Sequence, residues 1–523
     1  MSRRLATVTA LAALLLGACA GPKQAAAPAP ATAAAPVAAP DRTKVPEAGP
    51  APELRVPAQK KFKLSNGLAV RLVEYKRLPI VALNLVLDAG AARDPDGRPG
   101  LASFTAAMAT EGTKTRSATQ ISDEAGFLGA SIGAGAGVDS ASLSGATLSR
   151  HLARFLDLFA DVAMNPAYPP ADFERVQDER LVTLLQQRDQ PQAIASKAFQ
   201  PVFWGTHPYG HYSLGTEESV KATSRADLAA FHDRYWTPAN AELVVVGDVT
   251  EADLRPLLEK TLGTWKVGEA PPPLPPAPAA SPHQALILEK ADAPQSYLLL
   301  GMPGLRRTSD AYVAGTVAFQ VLGGGMASRL FRNLREEKGY TYGVYARGDA
   351  RKLAGVSFVV GSVKADVTGP ALKEIFSELR RLREEPVPAE ELEEAKASLV
   401  LGLPADFATA GSTAGRIADL VVHGLPDDYW NRYAARVKQV TADDVKRFAD
   451  AYLDPSKLTV VMVATPDTVK AQLQDLPLGP IEVRAAPSSA APKPVASEPS
   501  SGAPPEAKAP SKATKKKATA GKK

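Results

Sequence analysis

The chain has 523 residues, 45% of them hydrophobic and 22% charged, which is typical of a soluble globular protein too long for one core. Its single cysteine excludes an intrachain disulfide framework. The formal net charge is +5, but nine basic and three acidic residues lie in 481–523, so the rest of the chain is close to neutral and nucleic-acid binding is disfavoured.

The N terminus has the pattern of an export signal. Two arginines precede the apolar run LATVTALAALLLGA, which is too short for a stable membrane span. The following Leu16–Cys19, LGAC, resembles a bacterial lipobox, in which the cysteine becomes the acylated first residue. The resemblance implies an exported bacterial lipoprotein anchored through Cys19, and Ala20 favours the outer membrane, facing the periplasm. A plain signal peptide with a chance cysteine is the alternative.

Segments rich in proline and alanine divide the chain. They are too poor in large apolar residues to form a core and predict extended or disordered segments. The last segment is basic and could contact anionic lipid or cell-wall polymer, or could serve only as a solvated tail. The predicted organisation is a signal peptide (1–18), a tether (19–57), a first domain (58–268), a linker (269–284), a second domain (285–480) and a disordered basic tail (481–523).

The predicted elements mix strands and helices. In the first domain a hairpin turns at Asn66 and Gly67, a strand starts at Ile80, amphipathic helices cover RHLARFLDLFADVAM and DFERVQDERLVTLLQQR, and AELVVVGDV is a buried strand. In the second domain SYLLLGMP and YTYGVYARG are strands, and helices are predicted over DAYVAGTVAFQVLGG and ASRLFRNLREEKG and after GPALKEIF and PAEELEEAK. Without strict alternation of strand and helix, this is an α+β unit.

The two domains also repeat each other in sequence. Near the end of each, the same residue types recur at a constant offset of 217, which is hard to obtain by chance and indicates a duplicated unit of about 200 residues. The matched pairs are Ser224 and Thr441 as helix N-caps, Asp227 and Asp444, Phe231 and Phe448, Tyr235 and Tyr452, and Pro238 and Pro455.

Several stretches, in order, resemble one protein family. They are LSNGLAVRLVE, DAGAARDPDGRPGLASF, EGTKTRSATQI, FWGTHPYGHYSLGTEESV, FHDRYWTPANAELVVVGDV and ASRLFRNLREEKGYTYGV. The body, roughly 58–480, is thereby similar to the pitrilysin or insulinase family of zinc peptidases, which includes the mitochondrial processing peptidase and its inactive relatives. The resemblance implies two homologous α+β domains, each a mostly antiparallel sheet covered by helices, that form half of a clamshell.

The family's zinc helix reads His-x-x-Glu-His after Gly-Leu-Ala, with two imidazoles on one helix face and a glutamate as general base. Laid on this sequence, the pattern places Ser103 and Ala107 at the two histidines and Ala106 at the glutamate. The family's third ligand, a glutamate on a later helix, corresponds to Thr183. None of the four can serve, so the resemblance predicts no metal in this chain and a chain inactive on its own.

The isolated histidines offer no replacement site. His207 and His211 in THPYGHY have a suitable interval, but the intervening proline and glycine oppose a regular helix, and the family has a structural turn here. His151, His232 and His423 are isolated, as surface or core histidines usually are. The sequence therefore gives no reason to expect a metal elsewhere in the chain.

The second domain has a pair of residues that resembles part of the family's active site, whereas the first domain lacks the residues of the zinc motif. Arg335 and Tyr342 have the spacing of an Arg/Tyr pair that active relatives carry in the half facing the zinc, where both side chains reach the substrate backbone and the developing oxyanion. The alternative is structural, with Arg335 complementing a helix C-terminus before Gly339 and Tyr342 packed on the sheet. The retained pair implies a partner subunit that supplies zinc.

Three functions remain open from the sequence. The first is the non-catalytic subunit of a heterodimeric zinc peptidase, which binds and positions extended peptides at a sheet edge for a His-x-x-Glu-His partner. The second is a peptide-binding or scaffolding outer-membrane lipoprotein without a proteolytic role. The third is an unaided hydrolase, for which Ser103 has no histidine near it in sequence.

Overall fold

The computed structural model describes Thr43 and residues 54–278, 283–291 and 293–487, and the body from Pro52 onward is one compact unit. Within these residues twelve strands form two sheets. The first sheet contains Gln59–Lys63 (β1), Ala69–Glu74 (β2), Ile80–Leu87 (β3), Ser131–Ala136 (β4), Ala141–Leu148 (β5) and Ala241–Gly247 (β6). The second contains Gln284–Glu289 (β7), Gln295–Gly304 (β8), Thr341–Asp349 (β9), Gly355–Lys364 (β10), Thr459–Ala464 (β11) and Ile481–Ala485 (β12).

Helices cover both sheets. Those of the first half are Leu101–Met108 (α1), Ala118–Phe127 (α2), Leu152–Met164 (α3), Pro170–Gln186 (α4), Pro191–Trp204 (α5), Glu217–Ala222 (α6), Arg225–Tyr235 (α7) and Glu251–Lys260 (α8). Those of the second half are Tyr312–Gly323 (α9), Arg329–Phe331 (α10) continued by the π-helical Arg332–Glu337, Thr368–Glu384 (α11), Ala389–Gly402 (α12), Ala410–His423 (α13), Tyr429–Gln439 (α14), Ala442–Tyr452 (α15) and Pro466–Val469 (α16). The predicted α+β class is confirmed.

The two sheets have matching strand orders, β1-β2-β6-β3-β5-β4 and β12-β7-β11-β8-β10-β9. The predicted hairpin joins β1 to β2, with Gly67 at a φ of 87°. The repeat is also visible in detail, because Ser224 and Thr441 both close capping boxes with the acidic residue three positions on. Strands β4 and β9 occupy equivalent outer positions, each paired on one side only within the described residues.

Two predicted boundaries are wrong. The basic tail was predicted to begin at residue 481, but Ile481–Ala485 form β12 and pair in parallel with β7. In the second sheet β12 lies beside β7, in the position that β1 has beside β2 in the first sheet. The two outer strands differ in origin, because β1 precedes β2 in a hairpin and β12 comes from the end of the body. The tether predicted over 19–57 also ends too late, because Val56 is buried and its N–H donates to Asn431 Oδ1 at 2.8 Å.

The halves interlock by exchanging helices. Helix α5 of the first half lies on the second sheet, where the Phe199 and Phe358 rings pack at a tilted angle with a centroid distance of 5.4 Å. Helix α13 of the second half packs against β3 and β6 of the first sheet. Polar contacts add to this, since Asp139 accepts from the Tyr209 hydroxyl at 2.5 Å and from the Lys352 N–H at 2.9 Å. The two halves are therefore parts of one compact body.

The proline-rich linker lies on the first half where it is described. The Pro272 carbonyl oxygen accepts from Arg93 Nη1 at 2.6 Å, and the Pro275 carbonyl oxygen lies 3.2 Å from His207 Nε2. Along the described ranges no helix is long and apolar enough to span a bilayer.

Candidate functional site

Helix α1 carries the positions of the family's zinc motif. The residue that caps its N terminus is Gly100, which has a left-handed φ of 92°. A Cβ at this position would lie 2.7 Å from the Leu214 carbonyl oxygen, so only glycine fits. The Asp94 carboxylate accepts from the N–H groups of Gly100 and Ala102, each at 2.7 Å, and so caps the helix from a distance. Asp94 and Gly100 thus fix the position of the first turn of α1.

The side chains at the three ligand positions and at the general-base position cannot perform those roles. Ala106 is completely buried, Ala107 is half-buried, and the exposed Thr183 on α4 uses its hydroxyl to donate to the Glu179 carbonyl at 2.8 Å. The Ser103 hydroxyl donates to the Ser213 carbonyl at 2.6 Å, with the Gly100 carbonyl 3.0 Å away. No imidazole is among the partners of Ser103 in the described part of the chain, so the structure offers no support for a serine hydrolase.

A guanidinium group fills the space beside the first ligand position. Arg180, only 8% exposed, lies on α4 one turn before Thr183, and its Nη2 donates to Ser103 Oγ at 2.6 Å. The same nitrogen lies 3.2 Å from the Leu214 carbonyl oxygen, and the group stacks 4.8 Å from the Phe104 ring centroid. Burial lowers the pKa of Arg180 to about 10, so it remains a cation at neutral pH.

These residues do not fit zinc. Ser103, Ala106 and Ala107 supply neither imidazole nor carboxylate, and a metal at this place would lie against the positive charge of Arg180. In the described ranges no group of three or more His, Cys, Asp or Glu is arranged to hold a metal.

We expect the purified chain to bind no stoichiometric zinc, because the ligand positions lack donors and Arg180 repels a cation. Metal analysis after extensive dialysis measures this directly. One tightly held zinc per chain would contradict the assignment of Ser103, Ala107 and Thr183 as vacant ligand positions.

The two histidines of THPYGHY have structural partners. His211 Nε2 lies 3.0 Å from Asp94 Oδ2, which links this loop to the cap of α1. His207 Nδ1 accepts from the Tyr209 N–H at 3.1 Å, and burial lowers the pKa of His207. Both imidazole rings therefore stabilise the loop that contains THPYGHY.

Arg335 and Tyr342 lie together on the surface. Arg335 Nη1 donates to the Tyr342 carbonyl at 2.8 Å, and its guanidinium carbon lies 5.0 Å from the centroid of the Tyr342 ring. The Tyr342 side chain is 84% exposed, so it is not packed on the sheet as the structural alternative expects. The pair stands at the start of the outer strand β9, with the phenol and the remaining guanidinium donors facing solvent.

Sequence reasoning missed Arg180 and Asp94. An arginine one turn before a ligand position carries a weak signal, since only the folded contact with Ser103 shows where its charge lies. Asp94 caps a helix from outside the usual cap position, which local patterns do not reveal. Cys19, the predicted lipid anchor, lies outside the described residues.

Comparisons with known proteins identify the family and the fold. Residues 70–217 match the model of the insulinase peptidase family M16, and residues 222–399 match the model described as the peptidase M16 inactive domain. A structure described as the peptidase M16 inactive domain from Pseudomonas fluorescens superposes with a TM-score of 0.74 and 27% identity, covering 78% of this chain and 98% of that one. A Helicobacter pylori protease shares the fold at a TM-score of 0.72 and 20% identity, covering 78% and 99%.

The sequence relatives are proteins named as zinc proteases. One from Rickettsia bellii is 26% identical over 64% of this chain and 81% of its own length. Another, YmxG of Bacillus subtilis, is 24% identical over 66% of this chain and 84% of its own length. The chain belongs to the insulinase (M16) peptidase family, as a two-domain member that lacks the zinc motif.

Proposed function

We propose that this chain is the non-catalytic subunit of a two-chain zinc peptidase, whose partner carries His-x-x-Glu-His. The observation that carries the proposal is the exposed Arg335–Tyr342 pair in a chain whose own ligand positions are vacant. Neither side chain packs into the core, and Tyr342 is the most exposed large hydrophobic side chain of the described residues. Two such groups suit a site completed by another molecule.

The chemistry of the pair suits peptide hydrolysis. A guanidinium and a phenol are preorganised hydrogen-bond donors, and donors of this kind stabilise the negative charge that develops on a peptide carbonyl oxygen. The Arg335–Tyr342 carbonyl bond and the ring contact hold the two groups in one place, and no carboxylate among the described residues forms an ion pair with the guanidinium. In the complex this chain would orient the substrate and hold its carbonyl oxygen.

Strand edges supply the binding surface for an extended peptide. Peptides that add a strand to a sheet gain backbone hydrogen bonds at an unpaired edge. Among the described strands β1, β4, β9 and β12 are each paired on one side only, and β4 is built mostly of small residues, SIGAGA. The Arg335–Tyr342 pair lies at the beginning of β9, next to one of these edges.

The test is reconstitution with an exported M16 protein that keeps His-x-x-Glu-His. We expect neither chain alone to cleave a quenched fluorescent peptide efficiently and the mixture to do so, with the two chains eluting together. Efficient cleavage by the zinc-bearing chain alone, unchanged on addition of this one, would favour the scaffolding role instead.

We also propose that the chain is an outer-membrane lipoprotein anchored through Cys19, on the strength of the LGAC segment. Because several acyl chains give nearly permanent anchoring, Cys19→Ser should move the protein from the membrane to the soluble periplasmic fraction. Fractionation and labelling with a lipid precursor measure this. A variant that stays in the membrane fraction would speak against the lipid anchor.

A further inference from the structure

A second binding feature lies farther along the same strand as Tyr342. A half-open groove of about 360 Å³ separates β9 from α9 and is lined by Phe319 and Gln320 of α9, by Ala346 and Gly348 of β9, and by Ser357 of β10. Its volume is within the range of small ligand sites, and its walls are mostly apolar with a few polar groups. The strand β9, which forms one wall of the groove, is an outer strand of its sheet.

Ser357 contributes a buried hydroxyl to the lining of the groove. The residue is only 1% exposed, and its hydroxyl has no hydrogen-bond partner. Buried hydroxyls normally have one, since leaving the group unpaired is costly. Ser357 faces Gly348 across the β9–β10 ladder, and because Gly348 has no side chain, the hydroxyl reaches the groove.

The strand β9, which forms one wall of the groove, carries a positive charge at Arg347. Arg347 is exposed, and within the described residues it contacts the Phe358 ring at 5.9 Å and forms no ion pair. Phe358 packs in the cluster on one face of the second sheet, whereas Ala346 packs in the cluster on the α9 face. Arg347 therefore projects from the face opposite the groove.

We propose that the β9 edge and its groove bind an extended peptide that carries a bulky apolar residue next to a carboxylate. Side chains of an added strand alternate between faces, so one enters the groove while its immediate neighbour lies on the side of Arg347. The carboxylate belongs to an acidic side chain or to the C-terminus of the peptide. The inference rests on the proposed function, because it names the peptides that this subunit presents.

The spacing to the catalytic pair follows from the strand. Tyr342 and Arg347 are five residues apart, roughly 17 Å at about 3.3 Å per residue. A bound peptide would therefore place its apolar–acidic pair about five residues from the segment held by Arg335 and Tyr342. Substrates selected by the groove would share that spacing.

The experiment uses the full chain alone and fluorescent nine-residue probes of serine and threonine, blocked at both ends, with a central Leu-Asp pair. Matched probes carry Ala-Asp, Leu-Asn, or Leu and Asp separated by one threonine. A further pair ends in Leu with a free or an amidated terminus, which distinguishes a C-terminal from a side-chain carboxylate. Fluorescence anisotropy gives the dissociation constants.

We expect the Leu-Asp probe to bind about tenfold or more tightly than Ala-Asp, since a buried leucine side chain contributes most of that difference. Gln320→Trp, which fills the groove, should remove the preference for leucine. Arg347→Gln should remove the preference for the adjacent carboxylate over Leu-Asn and over the separated pair. Arg380→Gln, an exposed arginine on α11, is the matched control and should change neither preference.

Equal binding of the leucine and alanine probes, or a leucine preference that survives in a folded Gln320→Trp variant, overturns the proposal. Arg347 is a surface residue, so its variant gives an answer even if Gln320→Trp fails to fold, and an Asp preference that persists in Arg347→Gln contradicts the role of this arginine. Because the assay needs no partner, binding without partner-dependent cleavage would refute only the proposed subunit function. Tyr342-dependent cleavage without binding would refute only the groove.

Discussion

Tyr342→Phe should lower peptide cleavage by the reconstituted pair by roughly 10²–10³, the usual cost of losing one preorganised oxyanion donor. The change removes a single hydroxyl from a side chain that is 84% exposed, so folding should not change. Arg335→Ala should reduce the rate at least as much, because it removes the charged fork and also the bond to the Tyr342 carbonyl. The two losses should be less than additive, since both groups serve one transition state.

The measurement is the steady-state rate of the complex, with melting temperature and subunit association as controls. Tyr452→Phe, a half-buried tyrosine stacked on Phe448 at 5.2 Å, and Arg380→Ala are matched variants that should cleave normally. If Tyr342→Phe and Arg335→Ala assemble with the partner and cleave at the unmodified rate, the pair has no catalytic role and the scaffolding hypothesis becomes the better one.

Zinc affinity should depend strongly on Arg180 once the missing ligands are restored. Ser103→His, Ala107→His and Thr183→Glu together return the three ligands and leave the buried Ala106 unchanged. We expect this triple variant to bind zinc about a hundredfold or more weakly than the same variant with Arg180→Met. A guanidinium a few ångströms from a dication costs several kcal/mol at an effective dielectric constant near 20.

Zinc affinity is measured by competition with a chromophoric chelator. Arg180→Met in the otherwise unmodified chain serves as the control and should fold but bind no zinc, because it adds no ligand. Should the triple variant bind zinc equally well with and without Arg180, the guanidinium does not occupy the metal position and the vacancy of the site rests on the missing ligands alone.

Features that depend on short sequence patterns could be predicted from the sequence. The turn at Asn66 and Gly67 was found because asparagine and glycine favour tight turns, and Gly67 has a left-handed φ there. The repeat was found because Ser224 and Thr441 begin equivalent helices. The vacancy at Ser103 and Thr183 required only the spacing of a known motif. In each case a few neighbouring residues determine the outcome.

Features that depend on distant contacts were not predicted. The position of the Arg180 charge is set by packing between α1 and α4, and the groove beside Ser357 exists because Gly348 lies opposite it on another strand. The exchange of α5 and α13 depends on contacts that each helix makes with the sheet of the other half. Periodicity identifies such faces but not the surface that each will cover.

Strand β12 affects the order in which the two sheets can form as the chain emerges, N terminus first, where it folds. All strands of the first sheet lie before residue 248, so that sheet can pair as soon as its half has emerged, whether from the ribosome or from an export channel. The second sheet must wait, because β7 begins at Gln284 and its outer neighbour begins only at Ile481. Contacts so distant in sequence form slowly, and until β12 arrives the edge of β7 is open to pairing with another chain. The second half is thus the part of the nascent protein most exposed to misassembly.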